Sequence, residues 1–541
     1  MKNVNQNGTS YLRNILGPAV IKLFFICLFL CLSVFITLES AQAWINSNTL
    51  LARAEPDECY AGIGVDYPSG PPCPSGSVEK VNQAYVWGLT QEGDNLWFGT
   101  GANVECGTVG AVLGDILCKT EFLGLCAPYE TNSYVCEFGH SQIARENPLV
   151  TASNGDWRPP KIYQYILSTG ELIDRTPNDP MIDLCKGIRS AGSHNGVAFL
   201  AGGSLKNTVI MFAFDAQNGD YLGAKEFTNS NTIRKWLVVK NQLYTGVLGN
   251  QAGRIMRWHG SHNDLWNFKL VGTVKGTPRE LAEYIDGNGQ SRIAVHAAGI
   301  WISPAIQSQG LTQSDAINWK EIWTPADYEP CDIVRLTYGA GDLHYFDGWL
   351  YFGTMHLSPG LALLVDPKIL PGTWRATTIW RARNLENSNP EIQLLYGEAE
   401  LLAYNKKTKW FDLVPNVGGY QPLYGSSGFG NRYNNYAWTM EVIDDHLFVG
   451  TMDCSYLTVS DPEQIAPLEF GADLWRFDSS NSPAVAEDIS GLGNPLNYGI
   501  RTLIVSEDGT KLYVGMANPM NLEEEGGWEL RELTSHIALQ E

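Results

Sequence analysis

Positive charge is scarce in this chain. Lys and Arg number 37 against 58 Asp and Glu, a formal net charge of −21 over 541 residues. An anionic surface of that size excludes non-specific nucleic-acid binding, which needs a basic field for phosphate. Beyond residue 38 no apolar run is long enough to cross a bilayer, so no membrane span is expected in the mature chain. Cys-x-x-Cys is missing, which removes zinc ribbons and thioredoxin-type motifs. Asn-x-Ser/Thr sequons are missing after residue 43, which favours a bacterial over a eukaryotic secretory origin. Nucleophile signatures are missing as well. Gly425-Ser426-Ser427-Gly428 lacks the G-x-S-x-G spacing, and no P-loop or dinucleotide fingerprint follows a strand. Disorder is excluded in turn by 44% hydrophobic and only 18% charged residues.

What is present begins with an address. Lys2, Arg13 and Lys22 precede the apolar run Leu23 to Leu38, and Ala41 and Ala43 follow at signal-peptidase positions. This predicts a secretory leader over 1–43, cleaved after Ala43, and a secreted or periplasmic protein; an uncleaved anchor is the alternative. Loss of Lys2, Arg13, Lys22 and Glu39 moves the net charge from −21 to −23. Nine cysteines lie beyond the leader, and in an oxidising compartment disulfides are the default. Local spacing suggests Cys59–Cys73, Cys106–Cys118 and Cys126–Cys136. Connectivity is not readable from sequence, and an odd count leaves at least one thiol unpaired.

One phrase recurs: a Gly/Asp/Asn turn, then an aromatic-rich strand ending in glycine. It runs over 92–99, 240–246, 346–353, 443–450 and 507–515, with weaker copies at 193–202 and 286–295. Asn-Gly and Asp-Gly between alternating apolar residues are hairpin signals, because both residues tolerate positive φ. Seven copies, each followed by further strand-like runs, predict an all-β fold, a seven-bladed β-propeller over 81–541. A Cys-rich insertion at about 103–158 falls in blade one, and a Cys-containing extension covers 44–80. The phrase Leu512-Tyr513-Val514-Gly515, with Asn518 and Gly526-Gly527-Trp528-Glu529 after it, resembles blades of secreted bacterial β-propeller proteins. That resemblance covers roughly residues 80–541 and implies a fold, with no catalytic residue attached.

In such a fold the loops joining fourth strand to first and second to third share one face. The insertion, Cys185, Cys331 and Cys454 are expected there, making a disulfide-stapled face; the alternative is that inserts only cover blade edges. Arginine recurs where the innermost strand begins, at Arg189, Arg234, Arg279 and Arg501, the first three spaced 45 residues apart. Convergence of these at a channel rim would make an anion site, since each guanidinium fork binds carboxylate, phosphate or sulfate. The competing reading pairs each with a carboxylate such as Glu280, Asp342 or Glu441. Asn103, Asn250, His356, Asp453 and Asn518 follow the repeat glycine and open loops on the same face, as ligand contacts or turn caps. Asp453 and His356 are the nominated acid–base residues; Glu398 and Glu400 beside Tyr396 are further nominations.

No metal ligands are assigned, since the histidines scatter over different blades and faces. The run from Asp286 resembles a calcium loop but carries Ala297 at its twelfth position, so a hairpin turn is expected. No cofactor is evident; structural calcium elsewhere stays an expectation from the carboxylate excess. Trp87, Trp236, Trp301, Trp438 and Tyr498 fit a sugar-stacking floor or ordinary inter-blade core. The favoured function is an exported binding or interaction module holding an anionic small molecule, a glycan or a protein loop. The alternative is a hydrolase or lyase of acidic carbohydrate, the arginines gripping its carboxylate; a purely structural surface protein is the third reading.

Overall fold

The computed structural model describes residues 43–66, 70–109, 129–151, 154–249, 251–356, 370–455 and 470–535. The leader up to residue 42, Cys118, Cys126 and Asn250 lie outside the described residues. Contacts gather Ile45–Glu541 into one unit.

The recurring phrase folds as a tight hairpin. Its turn residues take positive φ in pairs: Asn195 and Gly196 at 52° and 76°, Asp347 and Gly348 at 46° and 79°, Asp444 and Asp445 at 49° and 57°. Such turns match the right-handed twist of the strands they join. The strand after each turn is buried nearly end to end, as in Asn95–Ala102 and Trp349–His356. Burial on both faces explains why these strands read as near-continuous apolar runs. The run from Asp286 is also a turn. Asp286 accepts from Asn288 N and Gln290 N at 2.9 Å and from Arg292 Nε at 2.9 Å.

Pairing among the described residues gives four-stranded antiparallel sets. Their first strands are Gln83–Glu92, Ser190–His194, Ser230–Val239, Glu280–Ile285, Tyr338–Phe346, Asn434–Ile443 and Gly499–Val505. Each first strand packs on that of the next set, and the strand Gly499–Val505 packs back on Gln83–Glu92, so the fold is all-β and propeller-like. The set that opens at Gly499 is completed from the far end of the chain. Ile45–Arg53 pairs antiparallel with Glu529–Ser535, Asn48 opposite Leu533 and Arg53 opposite Glu529.

The repeat glycine has a packing cause. A Cβ on Gly353 would lie 2.3 Å from Ala437 Cβ, and one on Gly99 would lie 2.1 Å from Ile188, in each case a residue leading into or within the next first strand. Neighbouring sets meet there too closely for any side chain.

Two disulfides are present among the described residues, and one corrects the expected pattern. Cys59–Cys73 forms as the spacing suggested. Cys136 pairs with Cys106, at a Cα separation of 5.4 Å, and not with Cys126; Cys106 is therefore not joined to Cys118. The cause is an amide relay. Asn521 Nδ2 donates to Asn103 Oδ1 and to Val135 O, both at 2.9 Å, and Val135 N donates to Asn521 Oδ1. This holds the hairpin ending in Cys136 beside the short helix Val104–Val109 that carries Cys106. Cys185, Cys331 and Cys454 are buried thiols, so they do not staple the loop face.

A buried ionic cluster, not foreseen from sequence, ties the extension to the insertion. Lys80 lies 2.6 Å from Asp156, 3.6 Å from Glu137 and 3.8 Å from Glu58. Arg158 lies 2.5 Å from Asp156, 2.9 Å from Glu58 and 3.3 Å from Glu137. No side chain of the five is more than 5% exposed. Burial pushes Glu137 up, the Asp156 charge adding to it. Asp156 is held low in spite of burial, because Arg158 and Lys80 outweigh it. Removing one cation from such a cluster strands a buried carboxylate. Lys80→Met is therefore expected to cost roughly 3–5 kcal/mol in denaturant unfolding. A loss under about 1 kcal/mol, the range of an exposed pair, would show that the cluster does not hold these segments.

Candidate functional site

First strands of all seven sets line one central cavity of about 490 Å³. Several carry a register shift at the channel wall. The shifts fall between Val86 and Gly88, Ile233 and Trp236, Ala340 and Leu343, Ala437 and Thr439, and Ile500 and Thr502. The residues enclosed are Trp87, Arg234 with Lys235, Gly341 with Asp342, Trp438 and Arg501. A bulge re-aims a side chain out of the strict in–out alternation. All but Gly341 border this cavity.

The four arginines sit close together. Arg189 feels Arg234, Arg279 and Arg501, and burial together with these neighbours pulls it well below the ordinary arginine value. Arg279 is lowered by burial and by Arg234, and Arg501 falls to about 10 from burial and the same neighbour. Arg234 alone is raised: burial opposes its charge, but Tyr436 and Glu280 outweigh it. Its Nη2 lies 3.1 Å from Glu280 Oε1 and donates to Tyr436 Oη at 2.9 Å. Arg189 lies over Trp87 at 5.3 Å and Arg501 over Trp438 at 5.4 Å, while Arg279 Nη1 reaches Met355 Sδ at 3.5 Å. The Nε atoms of Arg189, Arg234 and Arg501 are buried with no hydrogen-bond partner among the described residues. Arg189, Arg234 and Arg279 border a second cavity of about 280 Å³, with Asn207, Asn231, Thr232 and Thr277. The expected carboxylate pairing thus holds for Arg234. Asp342 is 3.0 Å from Lys235, and Glu441 is 3.1 Å from His344.

Other nominated residues fall elsewhere. Asn103 and Asn518 use their amides locally: Asn103 Nδ2 donates to Asn82 Oδ1 at 2.7 Å and to Asp156 O at 2.9 Å, and Asn518 Nδ2 donates to Glu525 O at 2.8 Å. His356 is buried against Tyr338, ring centroids 4.0 Å apart, and burial drives its pKa far down. Asp453 accepts from Asn431 Nδ2 at 2.8 Å and Ser455 N at 2.7 Å; burial raises its pKa. Neither His356 nor Asp453 borders the two cavities. Glu398 accepts from Ser427 N and Oγ, and Glu400 is exposed. Trp87, Trp236 and Trp438 border the central cavity; Trp301 and Tyr498 do not. Tyr498 donates to Glu105 Oε2 at 3.1 Å. Among the described residues, no group of three or more His, Cys, Asp or Glu is placed to hold a metal. No helix among them is long and apolar enough to cross a membrane.

Lys235, Glu283 and the pairing of Glu441 with His344 were missed from sequence, although all four residues border the channel. The available signal was position: Lys235 follows Arg234, and His344 follows Asp342 by two. Burial opposes the His344 cation, but the Glu441 contact outweighs it and raises its pKa. A raised value means the folded state favours protonated His344. The pair's contribution is full below about pH 6.5 and is lost as pH climbs through the folded value. Glu441→Gln removes it, so stability followed by thermal melting should depend less on pH above about 6.5 in the variant. An unchanged slope would show that the pair does not titrate as described.

No protein-family model and no curated protein matches the chain. Solved structures give fold-level likeness only. The Dos1 propeller matches at 8% identity and TM-score 0.40, over 89% of this chain and 95% of its own. A Bacteroides uniformis protein provisionally named a 6-phosphogluconolactonase matches at 10% identity and TM-score 0.35, over 66% and 84%. A fungal alcohol oxidase of the AA5 family matches at 12% and 0.35, over 70% and 69%. Scores this low carry no argument; the propeller-like description rests on the strand pairing itself.

Proposed function

We propose that the chain is an exported seven-bladed β-propeller, with a Cys-rich insertion in its first blade, that binds an anionic group at the arginine end of its channel. One observation carries the reading: four guanidinium groups share a largely buried mouth in which, among the described residues, Glu280 is the single carboxylate in contact with any of them. Crowded, part-dehydrated like charges lose free energy, and an anion restores it through charge-assisted hydrogen bonds. The unpartnered Nε donors supply sites for it. Export is supported by the leader and by two disulfides, which persist in oxidising compartments. The ligand classes in view are an anionic small molecule, an acidic glycan or a carboxylate-bearing protein loop. Hydrolysis or elimination gains no specific support, since the nominated Asp453 and His356 border neither cavity.

The test is a thermal-melt panel on the mature chain with acetate, phosphate, sulfate, citrate and glucuronate. Ligand at about 100 times its dissociation constant adds about 2.7 kcal/mol of stability. Arg189→Gln and Arg279→Gln should each weaken the best anion roughly tenfold to a hundredfold, the worth of one charge-assisted hydrogen bond. Arg145→Gln, on an exposed ion pair with Asp66, should leave it unchanged. A flat panel would leave the arginines without a ligand and overturn the reading.

A further inference from the structure

The channel is polarised along its axis, and the far end has the opposite sign from the arginine mouth. Arg279 stands immediately before the first strand Glu280–Ile285, and Glu283 lies four residues further along the same wall. His344 and Glu441 sit at comparable depth on their own first strands, beyond Asp342 and Trp438. Between the two ends, charges are matched: Glu280 contacts Arg234, and Asp342 contacts Lys235. At the far end Glu283 is not: half-buried, it makes no hydrogen bond or ion pair among the described residues, whereas Glu441 pairs with His344 and lies within electrostatic reach of Lys235. Arg234 borders both cavities, so they meet at one side chain.

We propose that this channel takes a short zwitterion, its carboxylate on the arginines and its amine on Glu283 and Glu441. The proposal rests on the anion reading above and adds the second charge. A simple polyanion long enough to fill the channel would bring negative charge against Glu283 and Glu441, where like charges repel. A cation alone would leave the arginines uncompensated. Four residues of strand separate Arg279 from Glu283, about 13 Å at roughly 3.3 Å per residue. An extended peptide advances by at most about 3.3–3.6 Å per residue, so roughly four residues with free ends match the span. Trp87, Trp236 and Trp438 give the wall between the charged ends an apolar lining suited to a ligand backbone.

Tetraglycine, N-acetyl-tetraglycine and tetraglycine amide separate the two charges on one backbone. Titration calorimetry on the mature chain should find tetraglycine the tightest. Acetylation removes the amine and should weaken binding about tenfold; amidation removes the carboxylate and should weaken it at least as much. Glu283→Gln should sharply reduce the difference between free and acetylated peptide while leaving the acetylated form's affinity in place. Equal affinity of free and acetylated tetraglycine overturns the proposal and leaves the far carboxylates as counter-charges. If phosphate or citrate binds and no tetraglycine does, the zwitterion is overturned and the anion site stands. If neither binds, both readings fall together.

Discussion

The channel depends on ring closure, which the pairing of Ile45–Arg53 with Glu529–Ser535 secures by joining the two ends of the chain. A hydroxyl contact in that pairing, Ser47 Oγ to Thr534 Oγ1 at 2.6 Å, closes a sequence separation of 487 residues. Ile45–Arg53 supplies the fourth strand of the set opening at Gly499 and joins the two ends of the chain in one set. The ring has to close before first strands from opposite ends of the chain can face one lumen. Arg189 and Arg501 meet only across that closed lumen, so the candidate site is a property of the ring and of no single set. Contacts of such separation are costly in loop entropy and form slowly. The N-terminal strand and the packing of Gly499–Val505 on Gln83–Glu92 together close the ring around the channel.

The hairpins were legible in the sequence because their causes are local. A two-residue turn with positive φ needs Asn, Asp or Gly at fixed offsets, and the repeat glycine is dictated by one close approach, Gly353 to Ala437 being an example. Arginine at the opening of first strands was legible for the same reason, through the equal spacing of Arg189, Arg234 and Arg279. Partners were not. Glu280 follows Arg279 directly in the chain yet meets Arg234 of the neighbouring set, because strand alternation turns adjacent residues apart. Bulges were equally hidden: nothing local marks Trp87, Asp342 or Arg501 as falling where the register shifts. His356 and Asp453 show how little position alone decides between the ligand-contact and turn-cap readings, Asp453 capping a turn through Ser455 N. Their place after the repeat glycine suggested a shared face, but their side chains turn inward, His356 to Tyr338 and Asp453 to Asn431 and Ser455.

The charge pattern of the channel sets stability against binding. Four arginines in one mouth, three of them with depressed pKa, oppose folding, and Trp87 and Trp438 offset only part of this by stacking under Arg189 and Arg501. A protein selected for stability alone would replace such groups with matched pairs, as it has at Lys235 and Asp342 deeper in the channel. Unpaired like charge placed beside paired charge on the same wall breaks the local consistency that the rest of the channel keeps, and the anion reading proposed above accounts for that break.

The same contrast explains how the loop face is held. Cysteine spacing assigned that role to disulfides, but Cys185, Cys331 and Cys454 are thiols, and burial drives the Cys185 thiol up to about 12, away from the reactive thiolate. Beside the Cys106–Cys136 disulfide, polar contacts do the rest. Asn82, Asn103 and Asn521 pass hydrogen bonds from the extension through the insertion to the loop after Lys511–Ala517, and Lys80 and Arg158 bind three carboxylates beneath them. Apolar packing would tolerate sliding by a fraction of a side chain. An amide that must satisfy both Asn103 Oδ1 and Val135 O, or a guanidinium that must meet Glu58, Glu137 and Asp156, fits in one arrangement only. Directional bonds of this kind fix where the insertion sits on the first set, and with it the position of the loops that flank the first strands.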